Sequence, residues 1–249
     1  MRLDPRSGRA TLLRARLIRQ GKTIILWFRR ADIGPAASKW GGMEFLPAQA
    51  DTLNDILRWR RDVRHFRTDP IAEPVIDRLR AAMDLAPSVG NSRPWRVLRV
   101  NDPGSRAVVQ DIFERCNHAA AADYDDATRA EYVRLKLAGL RDAPVHLAVF
   151  TETAPAEGRG LGRRTMPETL QFSTVMAIHT LWLVARAENI GLGWVSILEP
   201  AAIQSLFAVP QSWVFTGYLC LGYAEFTDDR PLLHRTGWQF DTPTQWQDR

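Results

Sequence analysis

Read for the spacing of its apolar positions, the chain changes character near residue 51. Leu53, Ile56 and Leu57 recur at helical intervals, and Thr52 with Asp55 three residues on has the form of a capping box. A helix is predicted there, closing in the charged run Arg60-Arg61-Asp62-Val63-Arg64. A second helix is predicted from Pro74, with Val75, Ile76, Leu79 and Met83 on one side, ending by Pro87. Turn-forming residues dominate 86–95, after which β-prone runs at 95–100, 145–150, 192–198 and within 213–226 alternate with helical patterns at 105–116, 130–141, 169–188 and 200–207. Such alternation predicts an α+β fold of α/β-type three-layer form, a mixed sheet flanked by helices.

Two segments resist a simple reading. The stretch 169–188 is apolar nearly all round and carries no charge before Arg186, yet Gln171, Ser173, Thr174, His179 and Thr180 argue against a membrane span. It reads as a buried central helix or a dimer seam, with His179 a core histidine and Gly191 the terminating residue. The glycine-rich basic stretch 151–168 lacks a following Gly-Lys-Ser/Thr and reads as loop flexibility.

Charge changes the picture at the amino terminus. The whole chain of 249 residues carries a net +5, but residues 1–42 hold +8 and the remainder −3. That arm has the composition of a nucleic-acid-binding arm, of an import leader, or of a disordered extension or over-long gene start ahead of Met43. The last is the expectation, with a single domain over 43–249 and no nucleic-acid partner. Two cysteines, Cys116 and Cys220, and five scattered histidines give neither a disulfide scaffold nor a metal-ligand spacing. Both thiols read as small buried hydrophobes in a reducing compartment, hence a cytoplasmic protein with no metal.

Candidate chemistry concentrates in Arg60-Arg61-Asp62-Val63-Arg64-His65-Phe66. Basic residues at a helix end often do no more than complement its dipole, but forked guanidinium donors at this spacing also build a cradle for an anion. Taken with Ala86-Pro-Ser-Val-Gly-Asn-Ser-Arg-Pro-Trp95, Arg164-Thr-Met-Pro-Glu-Thr-Leu-Gln-Phe-Ser-Thr-Val175, Gly191-Leu-Gly-Trp-Val-Ser-Ile-Leu198 and Leu233-His-Arg-Thr-Gly-Trp238, the run resembles the nitroreductase-like flavoprotein superfamily over residues 52–240. Asp62, where ordinary nitroreductases carry Ser, and Ser196 are similar to its flavin-fragmenting branch. Arg93 departs from the Gln that relatives place before Pro94 and Trp95.

The resemblance implies oxygen-dependent fragmentation of reduced FMN, taken as substrate with molecular oxygen, to 5,6-dimethylbenzimidazole and erythrose 4-phosphate. The alternative it leaves is an FMN-retaining, NAD(P)H-dependent nitroreductase. By the same resemblance Arg60, Arg61, Asp62, Val63, Arg64, Ser88, Ser196 and Arg235 contact the flavin. Asp62 is then the base toward the ribityl chain or merely an orienter of arginines, and Ser196 a hydrogen-bonding group at the reactive edge of the ring. The resemblance further implies a homodimer with flavin sites at the subunit boundary, and a separate flavin reductase as the source of reduced FMN. An aperiodic break followed by a helix over 124–141 suits a lid.

Overall fold

The computed structural model describes residues 42–135 and 139–249, and within the amino-terminal arm the backbone of three short strands. The chain divides into two compact units, 1–55 and 56–249. In the first, β1 (Leu12–Arg19) and β2 (Lys22–Arg29) pair antiparallel, as do β3 (Ala36–Ala37) and β4 (Met43–Glu44). The expectation of an unordered arm over 1–42 falls, outside these strands, on residues that are not described.

Helix α1 (Pro47–Trp59) begins earlier than the apolar spacing predicts. The Gln49 side chain accepts the Leu46 N–H at 2.8 Å, forming half of a capping box six residues upstream of the predicted one. Thr52 therefore sits inside the helix, where its hydroxyl donates back to the Ala48 carbonyl at 2.8 Å, and it caps nothing.

The larger unit is built on a four-stranded sheet of order β5-β6-β8-β7, comprising β5 (Trp95–Arg99), β6 (Val145–Glu152), β7 (Gly191–Val195) and β8 (Trp213–Gly222). Every ladder in it is antiparallel; the expected mixed character survives only as an isolated parallel bridge between Asp62 and Leu192. Period-two alternation sends Ala148, Phe150, Tyr218 and Cys220 to one face and Val145, Val149, Leu219 and Leu221 to the other. The first face packs against α3 (Pro103–Ala122) and α6 (Pro200–Leu206), the second against α2 (Glu73–Met83) and α5 (Thr169–Ala187), giving three layers with two cores.

Two boundaries moved for local reasons. Helix α3 starts at Pro103 because Asp102 accepts the Ser105 N–H at 2.7 Å, so Asn101 to Gly104 is a capped start in place of a free turn. It then runs through Ala119–Ala122, since alanine favours the helix even where it supplies no apolar periodicity. Asp125 caps the next helix, α4 (Asp126–Arg134), by accepting the Thr128 N–H at 2.9 Å.

Helix α5 has one buried stripe, including Thr174, Ala177, Ile178 and Leu181, and an exposed apolar side with Phe172 and Met176. His179 is partly exposed and not a core histidine; the buried imidazole is His146, between the Tyr218 hydroxyl and the Ala143 carbonyl, each at 3.0 Å. Nor does Gly191 end the helix. Asn189, at φ 60°, takes the left-handed position, with its own N–H bonded to the Arg186 carbonyl and that of Ile190 to the Ala185 carbonyl. Gly191 is released to begin β7. Among the described residues no helix is long and apolar enough to cross a membrane.

Candidate functional site

After α1 the chain turns extended and lies beside β7. The Val63 N–H donates to the Leu192 carbonyl at 3.0 Å, and the Asp62 carboxylate accepts the Trp194 N–H at 2.9 Å. Glycine makes this approach possible: a Cβ on Gly193 would stand 2.2 Å from the Val63 carbonyl oxygen, and one on Gly191 2.9 Å from a Val63 methyl. Phe66, 2% exposed, plugs the far end of the run into the core, where Gly139 and Gly222 leave room for its ring. Burial of that ring contributes roughly 2–3 kcal/mol to holding the segment in place. Bonds from Arg67 N–H to the Tyr223 carbonyl and from Glu225 N–H to the His65 carbonyl attach the chain beyond β8 to the same run.

These contacts bring the arginines to the edge of an open cleft. Its walls are apolar, with Trp59, Trp182, Leu192 and Phe226, while its charges are six arginines against Asp62 and Asp228. Arg60 stacks on the Trp182 ring at 4.7 Å. Burial, and then the adjacent Arg61, push the Arg60 pKa below its ordinary value, with Asp62 opposing. Arg61 turns inward. Its terminal nitrogens donate to the carbonyls of Arg60 and Asp229, and its buried Nε has no partner among the described residues. Arg64 donates from Nε to Asp62 at 3.0 Å and reaches toward the Leu135 carbonyl at 3.4 Å. Arg235, in the short helix α7 (Leu232–Arg235), pairs with Asp228 at 3.2 Å.

The predicted site residues therefore separate by role. Arg60, Arg61, Asp62, Val63, Arg64 and Arg235 all line the cleft. Ser196 is exposed just beyond the end of β7 and lines a second pocket that Asp62 and Arg64 share. Asp62, its side chain 36% exposed, thus stands between the two spaces. Ser88 is not brought to either. Its hydroxyl accepts the Arg93 N–H at 3.1 Å in the loop after α2. Tyr124 and Tyr132 of the expected lid stack at 5.1 Å, and Trp238 meets Tyr124 edge-on at 5.7 Å; 136–138 of that segment lie outside the described residues.

Sequence reasoning missed Trp182, Arg186, Asp228 and Arg230, all in the cleft wall. Arg186 was visible as the first charge in an otherwise apolar helix, and Asp228-Asp229-Arg230 as a charge cluster before the carboxy-terminal motif.

Apolar walls for a flat ring system, with guanidinium donors at the edge and mouth, fit a ligand that is aromatic at one end and anionic at the other. FMN is such a molecule. Among the described residues no His, Cys, Asp or Glu side chains gather in the threes that a metal ion would need.

Comparison with known proteins bears on the same region. Residues 57–223 match the Nitroreductase family. The chain is 58% identical over 207 residues to a 5,6-dimethylbenzimidazole synthase of Rhodobacter capsulatus, covering 83% of this chain and 100% of that one. It is 52% identical over 202 residues to a 5,6-dimethylbenzimidazole synthase of Rhodospirillum rubrum, with 81% and 96% covered. Among solved structures, oxidized iodotyrosine deiodinase bound to FMN and 3-iodo-L-tyrosine superposes with a TM-score of 0.61 at 18% identity, over 79% of this chain and 97% of that one.

Proposed function

The chain belongs to the Nitroreductase family, and from that premise we propose that it is a 5,6-dimethylbenzimidazole synthase, fragmenting reduced FMN with molecular oxygen. The observation that carries the reading is the 52–58% identity to three curated synthases of this activity, over nearly their whole lengths. The site supports it with Asp62, a carboxylate fixed between a guanidinium and a backbone N–H at the heart of the cleft.

When bound, reduced FMN supplies both the electrons that oxygen consumes and the carbon skeleton of the product. The protein supplies position, charge and proton transfer. Arg60, desolvated against Trp182, places a fixed cation beside a ring that is readily anionic when reduced. Asp62 is held in one orientation by Arg64 Nε and Trp194 N–H, and each carboxylate oxygen keeps a further lone pair. It can accept a proton there as the ribityl chain is cleaved. Ser196, across the pocket it shares with Asp62, offers a hydroxyl donor to the reacting edge of the ring. Apolar walls exclude water from the ring.

Two partners follow from the same reading. Ser88, remote from the cleft of its own chain, contributes to the flavin site of a second copy, in a homodimer seated on the exposed apolar side of α5. Light scattering at micromolar concentration should give twice the 28.2 kDa chain mass; a stable monomer with flavin bound would overturn the dimer. A separate flavin reductase supplies reduced FMN.

The activity itself is tested by mixing the full-length protein with chemically reduced FMN in air and seeking 5,6-dimethylbenzimidazole by mass spectrometry. Quantitative return of intact FMN would overturn the proposal. Steady NAD(P)H oxidation on a nitroaromatic by a yellow protein would replace it with an FMN-retaining nitroreductase.

A further inference from the structure

An apolar cavity opens between α2 and the sheet, apart from the cleft of arginines. Ile76, Leu79 and Met83 of α2 and Trp95 of β5 form its walls, and the buried side chains of Leu181 and Leu221 line it from α5 and β8. Five exposed charged side chains also line it, and each is already paired: Glu73 with Arg99 through two bonds at 2.9 and 2.8 Å, Asp77 with Arg80 at 3.0 Å, and Asp84 with Arg93 at 3.6 Å. A charged ligand would give up its water there and find no uncommitted partner, so the cavity suits a small, uncharged, apolar occupant. Spaces with such a lining stay dry and take up apolar molecules, xenon among them.

The cavity and the cleft meet at shared neighbours. Leu221, which lines the cavity, is the cross-strand partner of Leu192 in the cleft wall, and Leu181 of the cavity directly precedes Trp182 of the cleft. Leu192 and Leu221 are buried in the same core, so a single layer of packed side chains divides the two spaces. Packed side chains still change rotamer, and the transient gaps admit a diatomic molecule while stopping a fused bicycle. Resting on the reaction of reduced FMN with oxygen proposed above, we propose that the cavity gathers dioxygen and feeds it through the Leu192–Leu221 layer to the flavin. Dioxygen is uncharged and gains nothing from the guanidinium groups at the cleft edge. An apolar entry concentrates it and, being dry, brings no water to the ring.

The first test uses the full-length protein without flavin and xenon as the probe. Under xenon pressure the methyl resonances of Leu79, Leu181 and Leu221 should shift, and those of Leu198, in the other core, should not. The second test mixes the protein carrying reduced FMN with buffers of graded oxygen content and follows flavin oxidation. Ile76→Trp and Leu147→Trp, which fill the cavity from α2 and from β6, should abolish the xenon shifts. They should slow the bimolecular reaction with oxygen roughly tenfold, ~1.4 kcal/mol on the barrier, and leave the affinity for oxidised FMN within about twofold. Leu221→Val, which thins the dividing layer, should speed the same reaction. In the unaltered protein xenon should compete with oxygen and slow oxidation, so the route is testable even where a filled variant fails to fold.

Methyl resonances unmoved by xenon would overturn the cavity as a site for apolar molecules. Oxidation rates unchanged by filling and by xenon would overturn the route, as would a fall in rate matched by an equal fall in FMN affinity. Displacement of xenon by 5,6-dimethylbenzimidazole, with oxidation rates unmoved, would give the cavity to the product in place of oxygen. A protein that returns intact FMN in air, yet takes up xenon and loses oxidation rate when the cavity is filled, would remove the fragmentation reading while the oxygen route stood.

Discussion

Gly193→Ala asks the most of the structure, because one methyl group is predicted to disturb the site from behind. The added Cβ would lie 2.2 Å from the Val63 carbonyl oxygen, about 1 Å inside any tolerable contact, and the obstacle is backbone. Either β7 or the arginine run must retreat. Retreat stretches the Val63 to Leu192 bond, worth about 1 kcal/mol, and the Trp194 to Asp62 bond, worth about 2 because the acceptor is ionised. Partial relaxation leaves a net loss of about 2–4 kcal/mol, a large share of the stability of an ordinary domain. Gly191→Ala is the graded control: its Cβ meets a Val63 methyl at 2.9 Å and the Gly222 carbonyl at 3.2 Å, so it should cost less. Urea unfolding at constant slope measures both, and FMN affinity for Gly193→Ala should fall with the displaced arginines. A Gly193→Ala protein within 0.5 kcal/mol of wild type, with undiminished FMN binding, would refute the account of how the run is positioned.

Asp62→Asn should lower product formation by roughly two to four orders of magnitude if Asp62 is the base. Its amide can accept from only one of the two donors that now hold the carboxylate, so FMN affinity should fall less than tenfold; wild-type product yield would end the catalytic assignment. Ser196→Ala should keep flavin binding and divert turnover toward intact FMN and hydrogen peroxide, and an unchanged product ratio would count against its role. Burial, and then Arg106, hold the His146 imidazole down at about 4 from an ordinary 6.5, with its bond to the Ala143 carbonyl opposing. The neutral ring is what the fold accepts, so its contribution is complete above pH 6.5 and drains away as pH falls toward 4, by about 2–3 kcal/mol at pH 4.5. Urea midpoints across that range should fall less steeply in His146→Gln, and parallel profiles would exclude the mechanism.

Most of the element order could be read from the chain because local rules set it. Apolar spacing placed α5 and the start of α2 within one residue, though α2 ends at Met83, short of Pro87, and β5 began and nearly ended where read. The misread boundaries were those where a single side-chain bond decides the start: Gln49 on Leu46, Asp102 on Ser105. Asn189 displaced Gly191 as helix terminator because both tolerate the left-handed backbone, and only β7 requires a glycine at 191.

The site was legible in a different sense. Its residues could be named through resemblance, but the division of labour among them depends on contacts that no local pattern encodes. Gly193 meets Val63 across a gap of more than a hundred residues, and Arg61 donates to a carbonyl at 229. A guanidinium just past a helix end looks the same in sequence whether it faces a ligand or a backbone oxygen. The distinction is energetic. A buried arginine must satisfy its donors, and Arg61 meets part of that need with the carbonyls of Arg60 and Asp229.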